Sequence, residues 1–117
     1  MGKGALKTLF IPALAGLAIA GFLIYGNNAI ETSRFYISTG KLPPGSAGLR
    51  IVHLSDLHGK EFGRENRRLA KAISLLEPDL ILVSGDMIDS HNDDGSAFIN
   101  LLRRLNGSFP VYCSLGN

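Results

Sequence analysis

Three apolar runs in this chain each end on a polar side chain, at nearly equal intervals. Leu49–Asp56 reads LRIVHLSD, Leu80–Asp86 reads LILVSGD and Pro110–Asn117 reads PVYCSLGN. Asp56 and Asp86 are 30 positions apart, and Asp86 and Asn117 are 31 apart. Between the runs lie two stretches with apolar residues at helical spacing. Leu69, Ala72, Ile73 and Leu76 fall within Arg64–Glu77, and Phe98, Leu101, Leu102 and Leu105 within Gly95–Gly107. Pro78 stops the first helix and Asn106-Gly107 closes the second. The order is β-α-β-α-β. Near-continuous apolar strands alternating with helices predict an α/β fold with a parallel sheet covered on both faces. Right-handed crossovers then bring all three strand C-termini to one edge, the place where open α/β sheets bind ligands.

That edge receives a metal-ligating set of side chains. Asp56 and His58 are two apart, so their side chains point to the same side if strand geometry persists that far. A carboxylate and an imidazole pointing together suit a transition metal such as Mn, Fe or Zn. Asp86 adds a second carboxylate, able to bridge two cations, and Asn117 adds a carbonyl oxygen. Two metals about 3.5–4 Å apart clamp the attacking and leaving oxygens of a phosphoester displacement, and a bound water becomes a nucleophile near neutral pH. Gly85 and Gly116 immediately precede Asp86 and Asn117 and permit sharp turns there. Each piece alone is ordinary turn chemistry; three polar endings on three strands at matched spacing are not.

The first thirty residues are committed elsewhere. From Thr8 to Ile30 there is no charged residue, and LFIPALAGLAIAGFLIY, with its flanks, approaches the length needed to span a bilayer. Pro12 sits near the start of the apolar run, where a helix tolerates it best. Lys3 and Lys7 precede the run and favour a cytoplasmic N-terminus, with everything after about Asn27 outside the cytoplasm. A cleaved signal peptide, with Ala18-Ile19-Ala20 as the site and secretion as the result, is the rival. The uncleaved anchor is preferred because Gly21–Tyr25 stays apolar beyond that site. A buried helix of a soluble domain ranks third, because the segment has no polar face. Residues 31–48 read as a linker: SRFYIST, Ser33–Thr39, has the content of a short strand, and Gly40–Gly48 is a Pro- and Gly-rich loop. The net charge is +2, with Lys and Arg scattered along the chain. Nucleic-acid binding gets no support from charge.

Ser55-Asp56-Leu57-His58, then Gly85-Asp86-Met87-Ile88-Asp89, then Gly116-Asn117 resemble the first three motifs of the calcineurin-like metallophosphoesterases, closest to bacterial members with an N-terminal membrane segment. The resemblance covers residues 49–117. It implies a four-layer α/β fold, with an N-terminal transmembrane helix (1–30) ahead of the first β-α-β-α-β part. It also implies two divalent metal ions and a metal-activated water acting on a phosphoester substrate. Asp56 and His58 would hold the first metal, Asp86 would bridge both, and Asn117 would ligate the second and contact the phosphate. Asp89 would be a supporting polar residue at the rim. In that family a histidine follows Gly-Asn directly and serves as acid, and further metal-binding histidines lie downstream. The chain is therefore read as the N-terminal part of a longer enzyme, with no catalytic acid assignable within it and no activity expected of these 117 residues alone. A membrane anchor favours lipid or envelope phosphates as substrates.

Two other functions compete. A receiver-type signalling module places a phospho-accepting aspartate at a strand end, as LILVSGDMID suggests, but wants paired acids at the first strand and has no use for His58. A non-catalytic, membrane-anchored metal-binding fragment is the other. Several residues carry no functional expectation. His53 reads as a packed core histidine, His91 as a loop histidine, Cys113 as a buried thiol, and Asp93 and Asp94 as caps of the second helix. Lys60, Glu61, Arg64 and the Arg67-Arg68 and Arg103-Arg104 pairs read as solvated surface.

Overall fold

The computed structural model describes residues 3–89 and 93–114. The chain divides into two units, Met1–Thr32 and Ser33–Asn117. In the first, α1 runs over Lys3–Asn28. Within it Phe10–Asn28 is long and apolar enough to cross a membrane, with a mean hydropathy of 1.7. Because α1 begins at Lys3, Pro12 lies inside the helix rather than in its first turn. It removes one i→i−4 hydrogen bond there, which helices in apolar surroundings accommodate by local adjustment.

The second unit is a three-stranded parallel sheet in the order β1-β2-β3, with β1 at Ile51–Leu54, β2 at Leu80–Val83 and β3 at Val111–Cys113. Helix α2, Arg67–Leu75, connects β1 to β2, and α3, Ser96–Leu105, connects β2 to β3. The α/β architecture and the parallel pairing are as expected. The register ends all three strands on one row: Leu54 pairs with Val83, and Val83 with Cys113. Ser84 N–H donates to Leu54 O at 3.1 Å and Ser114 N–H to Val83 O at 2.8 Å, so the chain leaves each of the later strands already tied to its neighbour.

The core lies between the sheet and the two helices. Ile81 and Val83 of β2 are buried, as are Leu69, Ala70 and Ile73 of α2 and Ala97, Leu101 and Leu105 of α3. The alternation along β2 sends Leu80 and Leu82 the other way. On that second face His53, Leu82 and Tyr112 form one exposed row, with Tyr112 at 60%. Among the described residues the sheet is thus covered on one face, not on both as its apolar strands suggest. Two residues depart from expectation, His53 because it lies on the uncovered face and Cys113 because it ends the short outer strand β3. His53 is exposed, with Nε2 2.5 Å from Ser84 Oγ across the β1–β2 pair, rather than packed in the core. Cys113 ends β3 exposed rather than buried.

Three local expectations change for identifiable reasons. Ser33–Thr39 forms no strand; no described segment pairs with it, Tyr36 is 92% exposed, and β-branched content without a partner does not make a strand. The helix expected over Arg64–Glu77 starts later, after a 3-10 turn at Arg64–Asn66 in which Glu65 and Asn66 adopt φ of 52° and 57°. Asn66 is held there because its side chain is fully buried: Oδ1 accepts Phe62 N–H at 2.7 Å and Nδ2 donates to Ala97 O at 2.8 Å. At the other end α2 stops at Leu75, since the residue before Pro78 avoids the right-handed helical region, and Glu77 takes φ 48°. Asn106 caps α3 with φ 48°, its N–H donating to Leu102 O and Arg103 O at 3.1 Å.

Candidate metal centre

The loops that follow β1 and β2 are laced together by their backbones. Asp56 N–H donates to Gly85 O at 3.3 Å, His58 N–H to Asp86 O at 3.0 Å and Gly59 N–H to Met87 O at 3.1 Å. Leu57 and Met87 turn inward and are buried, while Asp56, His58 and Asp86 turn outward. Burying the apolar residue between two polar ones pins the polar pair at the surface.

The backbone route to this arrangement is not the extended one that the Asp-x-His spacing suggests. β1 has ended at Leu54, and Asp56, His58 and Asp86 all adopt left-handed φ, at 55°, 47° and 49°. That conformation costs about 1–2 kcal/mol for a residue with a Cβ. Three such residues side by side, held by the backbone lattice above, mark a site whose geometry is imposed by its surroundings. Gly85, buried with φ 110°, supplies the turn that a side chain would resist.

The result is a three-donor cluster. One ligand atom each from Asp56, His58 and Asp86 lie within 4.8 Å of one another. His58 Nε2 is 3.7 Å from Asp56 Oδ1, and both side chains are more than half exposed. Two carboxylates and an imidazole converging from a rigid backbone are a donor set suited to a divalent transition metal. Asp89 lies at the same rim and donates its N–H to Asp93 Oδ2 at 3.0 Å. Gly116, Asn117 and His91 lie outside the described residues.

Two residues that shape the site carry no signal in the sequence pattern. Asn66 ties the stretch after His58 to α3 through Phe62 and Ala97, although its position reads as part of a polar helix face. Asp93 packs its carboxylate against Gly59, where a Cβ would come within 2.7 Å of Asp93 Cγ. Its Oδ1 accepts Gly95 N–H at 2.9 Å, and Asp94 Oδ1 accepts Ser96 N–H at 2.9 Å. These two acids lead into α3 as a turn, whereas the N-cap position itself is Gly95 with φ 74°. The side-chain and backbone hydrogen bonds from Ser96 hold the Asp94 carboxyl below its ordinary pKa.

A parallel α/β sheet with two carboxylates and an imidazole clustered at its C-terminal rim defines an α/β protein with a candidate metal centre. The model of the calcineurin-like phosphoesterase family matches residues 49–117, more than half of the chain, and the chain belongs to that family. It is similar to an uncharacterized metallophosphoesterase of Campylobacter jejuni, 31% identical over 116 residues, covering 96% of this chain and 30% of the relative. A Bacillus subtilis metallophosphoesterase, also uncharacterized, is 31% identical over 122 residues, covering 92% of this chain and 43% of its own. A zebrafish (Danio rerio) protein named as a transmembrane protein with a metallophosphoesterase domain is 41% identical over 110 residues, covering 89% of this chain and 25% of its own. The chain therefore spans less than half the length of each of these relatives. No solved structure matches.

Proposed function

We propose that this chain is the N-terminal part of a metal-dependent phosphoesterase held at a membrane by residues 1–30, with residues 31–48 as tether and 49–117 as the start of the catalytic domain. The reading rests above all on the left-handed cluster of Asp56, His58 and Asp86. Asp56 and His58 would hold one divalent ion, Asp86 would hold it together with a second, and Asn117 would serve the second ion and the substrate phosphate. Metal ions bound there supply Lewis-acid polarisation of the phosphoryl group and an activated water. The chain's own contribution is orientation: the β1 and β2 loops fix the donors relative to one another before any ligand arrives, and Gly85 and Asp89 support the turns. His58 discriminates against the receiver-type alternative, which has no role for an imidazole at this position.

The preferred placement is a single-pass membrane protein with its catalytic part outside the cytoplasm, supported by the uncharged α1 and by the lysines that precede the apolar run. A phosphate carried on a lipid or other envelope component is the favoured substrate class, because tethering raises the local concentration of such esters.

The full-length protein from its native source provides the test. Hydrolysis of a simple aryl phosphate should be lost on chelation and restored by Mn²⁺ or Zn²⁺, and Asp86→Asn should remove both metal retention and turnover. Turnover that survives exhaustive chelation would sink the reading.

A further inference from the structure

The fold gathers charge that the sequence scatters. Arg64–Leu75 and Ser96–Leu105 hold six of the chain's twelve Lys and Arg but one of its ten Asp and Glu. That single acid, Glu65, is paired with Arg104. The rest of the chain has the opposite balance, six bases against nine acids, several of them at the metal-site rim.

Four of these six cations lie on one outward surface. α2 and α3 pack against each other, and both turn their buried stripes toward the sheet. Opposite those stripes stand Arg67, Arg68, Lys71 and Leu75 of α2, with Ile99 and Arg103 of α3. All six are exposed, Leu75 at 73% and Ile99 at 45%. A merely solvated helix face mixes both signs of charge, whereas this one carries four cations and no acid beyond the paired Glu65. A nucleic-acid face is basic but polar, or interleaved with aromatic rings. Cations surrounding aliphatic side chains match a lipid interface, where the charges meet anionic headgroups and the aliphatic groups enter the boundary layer.

We propose that the outer α2–α3 face adsorbs to an anionic lipid surface, with Leu75 and Ile99 entering the headgroup layer. The inference rests on the membrane-anchored reading, which tethers the α/β unit to a bilayer, and adds a second contact made by that unit itself. Each cation near an anionic leaflet raises adsorption roughly fivefold.

Hydrogen exchange of the full-length protein tests this, in phosphatidylcholine nanodiscs with and without phosphatidylglycerol. Amides of α2 and α3 should exchange several-fold more slowly in the anionic discs. The protection should vanish in high salt and in an Arg67→Gln, Arg68→Gln, Lys71→Gln variant, whose adsorption should fall about 100-fold. These side chains are exposed, so an unchanged unfolding midpoint will show that the variant is folded. Equal exchange in the two kinds of disc overturns the proposal. Failure of the protein to enter either disc removes the anchored reading alone; exchange with phosphatidylglycerol vesicles added from outside then decides the surface, protection supporting it and its absence overturning it. Protection by an oligonucleotide as strong as that by the vesicles makes the face a general polyanion surface and also overturns the lipid assignment.

Discussion

The backbone N–H of His58 donates to the carbonyl oxygen of Asp86 at 3.0 Å, so the two loops that bear the candidate metal donors are joined residue to residue. The imidazole and the carboxylate therefore hold their spacing through main-chain hydrogen bonds rather than through contact with each other. Metal affinity at such a site responds to backbone conformation as much as to the identity of the donors.

His58→Gly should separate stability from function. Glycine relieves the left-handed strain at φ 47°, so the metal-free protein should gain up to about 1 kcal/mol in urea unfolding. Metal affinity should fall at least tenfold, the lower end of the effect of losing even an outer supporting partner. A variant both less stable and unchanged in Mn²⁺ titration would contradict the strained-site account.

Gly59→Ala should destabilise by about 2 kcal/mol, because φ is 67° and the added methyl meets the Asp93 carboxylate. Part of that cost should disappear in an Asp93→Ala background, giving a coupling of about 1 kcal/mol in a double-mutant cycle. Strict additivity would mean that Asp93 does not press on the His58 loop.

Asn66→Ala should cost about 3 kcal/mol, since it leaves Phe62 N–H and Ala97 C=O without their buried partner and forces alanine to φ 57°. Asn66→Gly loses the same hydrogen bonds but keeps the conformation, and should be milder by about 1 kcal/mol. Equal losses in denaturant titration would show that the left-handed backbone contributes nothing.

Asp94 should titrate below the usual aspartate value of about 3.9. A depressed folded-state pKa contributes stability that is fully present above the unfolded value and is lost as pH falls through the folded one. Ser96→Ala removes the largest cause, so the Asp94 carboxyl resonance should shift its midpoint upward and the acid-side loss of stability should shrink. An unmoved midpoint would assign the depression to another group.

Much of this architecture is legible in the residues. Apolar runs ending on Asp56 and Asp86 locate β1 and β2, Leu101 and Leu105 mark the buried stripe of α3, and Asn106-Gly107 ends that helix. The grouping of Asp56, His58 and Asp86 follows from the same pattern. Its cause does not, because Asp and His tolerate a left-handed φ without dictating it; the backbone hydrogen bonds that hold that conformation join loops 30 residues apart in sequence. Asn66 escapes notice because its partners, Phe62 and Ala97, meet only when the chain folds. His53 misleads because an apolar strand does not say which of its faces is covered, and Cys113 because the apolar run does not say that its strand lies at the edge of the sheet. Ser33–Thr39 misleads because propensity cannot supply a pairing partner.

The strands follow one another across the sheet in chain order, and the three clustered side chains all come from the first β-α-β segment, residues 51–86. During synthesis, then, Asp56, His58 and Asp86 can meet while α3 and β3 are still inside the ribosome. A divalent ion captured at that moment would bind only the folded β-α-β unit and stabilise it by mass action. Metal supply would act on how the nascent chain matures as well as on what the finished protein does.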